Sequence, residues 1–456
     1  MEPLSLTSIA RTLGLDPAHE APVTDVCTDS RKAGPGSLFV ALKGENFDGH
    51  DFVSRALEQG AVCAVVQHPV DGHIPAARLM PVEDTQRALL SIAALYRNQF
   101  PALELVGVTG SVGKTTTKDF IACVLSAKYN THKTQGNQNN EIGVPATIYA
   151  LTREHEAAVI EMGMSGFGEI RDLTLALRPS VGVITNIGVS HLERLGTREN
   201  ILKAKMELCE GMADGAPLLL CGDNDLLSTV AEPRLRVILY GIENPACAIR
   251  GTNFSEEGGS TSFVIECEGR RYPASIPCIG RHNVLNALAA FGAGRELGVT
   301  PEECTAALKD YVPSGMRQHI VEHNGFTVVE DCYNASPDSM RAALSTLGDY
   351  PRPPEGRRIA VLADMLELGS VSQESHRQAG VLASSCCDYL FCYGQLGALI
   401  AEGALAAGMD PGRIGSFDDK AALADTLKAM LHPGDVVWVK ASRGMKLEDV
   451  LRELYR

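Results

Sequence analysis

The amino-acid sequence predicts an α/β protein of three domains, the central one a doubly wound, mostly parallel sheet. Three observations carry that prediction. At 456 residues the chain exceeds what one hydrophobic core usually supports. Apolar strand-like runs alternate with amphipathic helical stretches, which favours parallel strands covered on both faces by helices. A hydrophobic strand enters a helix through a glycine-bounded turn in Val106-Gly-Val-Thr-Gly-Ser-Val-Gly-Lys-Thr-Thr-Thr117.

Residues 1–84 contain strand-like pieces at 36–42 and 61–66 and a helical stretch at 52–59, which make a small α/β domain. The loop Pro69-Val-Asp-Gly-His-Ile-Pro75 and a helical run over 85–98 mark the transition to the next domain. In residues 85–315 strands are expected at 105–109, 158–162, 181–186 and 217–220, with functional residues at their C-terminal ends, where such sheets bind ligands. Between 248 and 278, strand-like pieces broken by Glu-Glu-Gly-Gly predict a hairpin appendage, and a helix follows from Asn283. Residues 316–456 repeat the alternation, with strands expected at 327–330, 359–362, 389–392 and 436–439, a Rossmann-like domain without a phosphate loop of its own. No internal repeat or low-complexity tract is present.

With 45% hydrophobic and 21% charged residues the chain is globular. A formal charge of -15 supplies no general attraction for nucleic acid or an anionic membrane surface, so any anionic substrate must be held locally. Thirteen cysteines form no Cys-x-x-Cys pair, and an odd number cannot all pair within one chain, so reduced thiols in the cytoplasm fit best. Neither a secretory signal nor a run of membrane-spanning length is found, and no membrane insertion is expected.

The glycine-bounded turn reads as a phosphate cradle. Gly110 and Gly113 permit backbone angles that let successive amides converge on an anion at a helix N-terminus, so Thr109, Gly110, Ser111, Val112, Gly113, Lys114, Thr115 and Thr116 are the expected nucleotide contacts. Lys114 would meet the β and γ phosphates and Thr115 would offer its hydroxyl to Mg2+. Val108 stands where the strict pattern has its first glycine, so the loop is a variant. An ordinary turn that starts a helix is the rival reading.

Glu161, at the end of a predicted strand, suits a second magnesium-binding side chain, or is a solvated carboxylate. His191, just beyond another strand, suits a metal or phosphate role rather than a structural one. Lys205 lies in a helical segment, Ile201-Leu-Lys-Ala-Lys-Met-Glu207, where the residues alone favour a solvent-facing lysine. Asn139 and Asn140, in an amide-rich run after the loop helix, suit sugar or phosphate oxygens or a plain polar turn. Asn283 is equally a helix cap or an adenine contact. In Asp331-Cys-Tyr-Asn-Ala-Ser-Pro337, Ser336 and Pro337 are an N-cap and a first helical residue, whereas Tyr333 and Asn334 are free to face nucleotide. Lys440, Ser442 and Arg443 suit a carboxylate, or a helix-start turn.

Together these motifs resemble the Mur ligase family, the ATP-dependent amide-forming enzymes of peptidoglycan precursor synthesis, over essentially the whole chain. Thr28-Asp-Ser-Arg31 and the stretch from Leu38 to Phe52 resemble the family's UDP-binding domain. Asn137-Gln-Asn-Asn-Glu-Ile-Gly-Val-Pro145, the Asp331–Pro337 segment and Ala363-Asp-Met-Leu-Glu-Leu-Gly369 resemble the branch whose acceptor is D-alanyl-D-alanine. The Asp-Asn-Pro-Arg motif of the branch that adds the third peptide residue is absent. The resemblance implies that ATP phosphorylates the terminal carboxylate of UDP-N-acetylmuramoyl-tripeptide and that the amine of D-alanyl-D-alanine attacks the acyl phosphate. It implies one Mg2+ at Thr115 and Glu161 and a second at His191, where a carbamylated Lys205 would supply a carboxylate. Lys114, His191 and Lys205 are thereby the expected catalytic residues. Asn283, Arg317, Asp331, Tyr333 and Asn334 would complete the ATP site as the third domain closes. Ser30, Arg31 and Asn46 would hold the uridine end, and Asn139, Asn140, Lys440, Ser442 and Arg443 the remaining substrate groups. A monomer is expected. Ala363 and Ala441 stand where the family commonly has glycine. The rivals are another amide ligase of the same superfamily, such as folylpolyglutamate synthase, and a nucleotide-dependent regulatory protein that makes no amide.

Overall fold

The computed structural model describes residues 1–17, 19–44, 46–313 and 315–456. A two-stranded antiparallel pair, Leu4–Ser5 with Pro22–Val23, brackets helix Leu6–Thr12. A four-stranded parallel sheet follows in the order Asp25–Cys27, Ser37–Val40, Cys63–Val66, Leu79–Pro81. Strand Ser37–Val40 is buried throughout, and its period of two splits it between cores: Leu38 and Val40 face one, Phe39 the other. Helix Thr85–Arg97 starts where Asp84 accepts the amides of Gln86 and Arg87, and its Leu89, Ile92, Ala93 and Tyr96 join that first core. The same apolar cluster continues without a break into the largest sheet.

That sheet has nine strands in the order Arg270–Ile276, Ser260–Cys267, Ile249–Glu257, Arg236–Gly241, Pro217–Cys221, Val181–Ile184, Glu104–Thr109, Ala157–Glu161, Thr131–Lys133. From Ile249–Glu257 to Thr131–Lys133 all neighbours are parallel. The four expected strands are present. Arg236–Gly241, with its Val-Ile-Leu-Tyr run, and the edge strand Thr131–Lys133 are additions. The expected hairpin appendage is corrected: residues 249–276 form three long antiparallel strands that extend the main sheet, because Tyr240 and Gly241 pair in parallel with Ile249 and Arg250.

The third sheet runs His319–His323, Phe326–Asp331, Val436–Lys440, Arg358–Ala363, Tyr389–Tyr393, Ile414–Phe417. Only its first pairing is antiparallel. Its inner strands alternate between two cores: Val329, Leu362 and Trp438 lie on one face and Val328, Val361 and Val439 on the other. The first-strand, antiparallel edge and Ile414–Phe417 add to the four strands expected there.

Candidate active site

Sheet order explains what gathers where. Strand Glu104–Thr109 lies between Val181–Ile184 and Ala157–Glu161, all parallel, so three loops leave the sheet side by side at its C-terminal edge. The central loop is the glycine turn. Gly110 has φ 151°, and a Cβ there would run into the Thr185 hydroxyl; Gly113 has φ 82° and caps helix Lys114–Leu125 without a side chain. The helix therefore offers its first amides to an anion. The neighbouring loop holds the turn in place: Thr185 Oγ1 donates to Val112 O at 2.6 Å, Val112 N donates to Asn186 Oδ1 at 2.8 Å, and Gly188 N donates to Ser111 Oγ at 2.9 Å. Thr185, Asn186 and Gly188 went unread in the sequence because which strand neighbours the glycine turn is a property of the sheet.

Lys114 bends back so that Nζ donates to Gly110 O at 2.8 Å and to Ser111 O at 3.3 Å. Burial lowers its pKa, Glu161 raises it, and Arg317 lowers it again, which brings the third-sheet side of the molecule into electrostatic reach of the turn. On the other flank Glu161, 2% exposed, accepts from Thr115 Oγ1 at 2.7 Å on one carboxylate oxygen and from Asn139 Nδ2 at 2.8 Å on the other. Behind it Thr134 Oγ1 accepts the Glu161 amide, and buried Lys118 donates to Thr134 O at 2.9 Å. The solvated reading of Glu161 is corrected. Thr115 and Glu161 are adjoining hard oxygen donors, a set that fits a small hard divalent cation.

His191 stands at φ 67°, at the start of the short helix Leu192–Leu195. Burial, with the cations Lys205, Lys114 and Arg194 nearby, lowers its pKa to about 4, so it is a neutral imidazole at neutral pH with a lone pair to give. The surface reading of Lys205 is also corrected. It is 1% exposed, burial pushes its pKa far down, and the charged neighbour acting on it is another cation, Lys114. Ile201, Ala204, Lys205 and Leu208 are all buried at helical spacing, so the lysine lies on the apolar stripe.

Other expected residues divide. Asn140 accepts from Ile142 N and Gly143 N just before helix Gly143–Tyr149, the polar-turn alternative. Asn283 is not the cap of its helix, which is Gly280; its amide donates to Ile279 O at 2.7 Å and Gln318 Oε1 at 2.6 Å, tying the helix to the start of the third sheet. Asp331 and Lys440, register partners on adjacent strands, form a buried ion pair at 2.7 Å, so the carboxylate that Lys440 holds is internal. Ser442 accepts the Leu366 amide at 3.0 Å. Arg317 stacks over Tyr333 at 3.9 Å from the ring centroid, with Arg443 at 6.0 Å. Asn334 is exposed and accepts from Ala335 N. Ser336 caps helix Pro337–Asp349 as expected. In the small sheet, Ser30 is buried, exposed Arg31 grips Asp29 through two nitrogens and holds its pKa at about 2, and Asn46 is exposed.

A glycine-bounded phosphate cradle flanked by Thr115, Glu161 and His191 on a parallel sheet defines a P-loop nucleotide-using enzyme. Three family models match the chain: the Mur ligase family catalytic domain over residues 22–97, the Mur ligase middle domain over 108–294 and the Mur ligase glutamate ligase domain over 316–443. The UDP-N-acetylmuramoyl-tripeptide--D-alanyl-D-alanine ligase of Bacillus subtilis (strain 168) is 40% identical over 449 residues, covering 96% of this chain and 95% of that one. A crystal structure of MurF from Acinetobacter baumannii superposes with a TM-score of 0.90 at 29% identity, covering 100% of this chain and 99% of that one. The MurF ligase of Thermotoga maritima in complex with ADP superposes with a TM-score of 0.86 at 29% identity, covering 95% and 97%. The chain belongs to the Mur ligase family and is a ligase.

Proposed function

We propose that this enzyme uses ATP to join D-alanyl-D-alanine to the terminal carboxylate of UDP-N-acetylmuramoyl-tripeptide, releasing ADP and phosphate and giving the pentapeptide precursor of peptidoglycan. The observation that carries the reading is the phosphate turn with Thr115 and Glu161 at 2.7 Å beneath it and a neutral His191 beside it, in a chain 40% identical to a ligase of that name along nearly its whole length. Residues 1–84 are the UDP-binding domain, 85–315 the ATP-binding domain and 316–456 the domain that takes the dipeptide and closes on ATP.

A carboxylate resists nucleophiles until one oxygen becomes a leaving group, and phosphorylation provides that. Lys114 holds the transferring phosphoryl group and offsets its charge; Arg317 approaches from the closing side. The first amides of helix Lys114–Leu125 bind the remaining phosphate oxygens. Because Lys114 and Arg317 both act on the turn, the site attracts anions although the chain as a whole is acidic. Thr115 and Glu161 would hold one Mg2+, and His191 a second, with Lys205 as its carbamate. Bound there, Mg2+ supplies Lewis-acid stabilisation of the phosphoryl oxygens. Closure keeps water from the acyl phosphate. Asn283, Asp331, Tyr333 and Asn334 line the nucleotide side, and Ser30, Arg31 and Asn46 the uridine end. The enzyme works as a cytoplasmic monomer; among the described residues no helix is long and apolar enough to cross a membrane.

The test supplies ATP, Mg2+, the UDP-linked tripeptide and D-alanyl-D-alanine and measures ADP and pentapeptide together. Equal yields that require the dipeptide are expected. ADP released without dipeptide, and no pentapeptide, overturns the reading.

A further inference from the structure

Behind the third sheet's active-site edge, the segment Ala363–Gly369 is pinned residue by residue. Asp364, buried, accepts the amide of Gly397 at 2.7 Å at the start of helix Gly397–Ala406. Met365 N donates to His376 Nε2 at 2.9 Å, and Leu366 N donates to Ser442 Oγ at 3.0 Å. Three consecutive residues are thus tied to three different elements. His376 is wholly buried in helix Ser372–Cys386, and its Nδ1 lies 2.6 Å from Ser372 O. A carbonyl only accepts, so Nδ1 carries the proton and Nε2 presents the lone pair that the Met365 amide needs; one tautomer satisfies both contacts.

The consequence lies in where the side chains go. Met365 and Leu368 are buried, and Glu367 takes a left-handed turn at φ 61°. Leu366 between them is 42% exposed, and its Cδ1 covers Gly444, next to Arg443. The loop ends at Gly369, where a Cβ would press on Glu193, two residues beyond His191, so it stands at the seam between the third sheet and the phosphate site. The Arg443 guanidinium pairs with Glu448 through one nitrogen at 3.0 Å and its side chain is 58% exposed; an apolar side chain beside it suits a small zwitterionic peptide with methyl side chains and a free carboxylate.

We propose that Leu366 is the apolar contact that selects the acceptor dipeptide, and that His376 is the positioning residue that holds it outward. The inference rests on the proposed acceptor, D-alanyl-D-alanine.

Steady-state kinetics of Leu366→Ala, His376→Phe and His376→Gln test it. Leu366→Ala is expected to raise the KM for D-alanyl-D-alanine about tenfold, the scale of a lost apolar pocket contact, with the KM for ATP and for the UDP-linked tripeptide unchanged and larger C-terminal residues newly accepted. His376→Phe, which fills the space but accepts no hydrogen bond, should reproduce the KM rise, and His376→Gln, which keeps an acceptor and a donor, should recover part of it. A merely structural histidine would instead move all three KM values and the melting temperature together, and that outcome overturns the proposal, as does an unchanged dipeptide KM in Leu366→Ala. Wild-type enzyme that makes no pentapeptide would refute the acceptor itself; active wild type with unaltered variants refutes only the roles of Leu366 and His376.

Discussion

Burying an amine among other cations is unfavourable, and Lys205 is held that way at 1% exposure with Lys114 as its charged neighbour. A methionine there keeps the volume and removes the buried amine. Lys205→Met is therefore expected to raise the melting temperature while turnover falls to background; a lower melting temperature would mean that the lysine is needed for folding. Lys114→Ala gives the complementary result. Its amine contacts only two carbonyls of the turn, so turnover should vanish while near-ultraviolet circular dichroism keeps its native form. Glu161 separates metal from nucleotide. Glu161→Gln retains a partner for Thr115 and Asn139 but loses the charge, so the Mg2+ concentration for half-maximal rate should rise at least tenfold with ADP affinity in the absence of metal unaltered, read by calorimetry. At this scale the phosphate turn was open to reading because its glycines, lysine and threonine are contiguous. Lys205 was less so, although its place between Ile201 and Leu208 on one helical stripe was a usable signal.

Among elements, the strands legible from sequence are the buried ones, such as Glu104–Thr109 and Val436–Lys440, whose apolar runs have no other explanation. Thr131–Lys133 and His319–His323 are edges of their sheets, half-exposed and polar, so neither run nor alternation marks them. Pairing partners were the larger gap: Asp331 and Lys440, far apart in the chain, meet only because their strands are adjacent in register. Helix Arg281–Glu296 shows how elements are joined across such gaps. Gln318 Nε2 lies 2.7 Å from His282 Nε2, and Gln318 Oε1 accepts from Asn283. An amide nitrogen only donates, so His282 accepts and must be neutral. Burial is the main cause that lowers its pKa to about 4, against 6.5 for an ordinary histidine. Between those values the unfolded chain binds a proton that the folded chain does not. Stability from this contact is therefore complete above about pH 6.5 and is lost as pH falls towards 4. Denaturant unfolding of wild type and His282→Gln across that window should show a shallower loss in the variant; parallel curves would exclude His282 as a contributor.

For the whole molecule, the continuous core that links the small parallel sheet to the central one contrasts with the third sheet, whose two cores are its own except for Ile279. At the seam the third sheet meets the phosphate site through individual side-chain contacts. Asp338, in the first turn of helix Pro337–Asp349, reaches across to Gly188, in the loop that supports the phosphate turn; Asp338 Oδ2 is buried there without a hydrogen-bond partner among the described residues. A Cβ on Gly188 would overlap that oxygen. Since the φ of Gly188 is not in the left-handed region, alanine is tolerated by the backbone itself and the obstruction acts on the contact with Asp338. Gly188→Ala should therefore bind ATP normally in the open form yet lose at least tenfold in kcat, as expected when a closing step is blocked. Shortening the opposing side chain removes the overlap, so Gly188→Ala with Asp338→Ala should regain most of the lost kcat, a coupling that independent effects at two sites would not produce. If the double variant is as slow as the single one, the contact between Gly188 and Asp338 is not part of the closed, reacting enzyme.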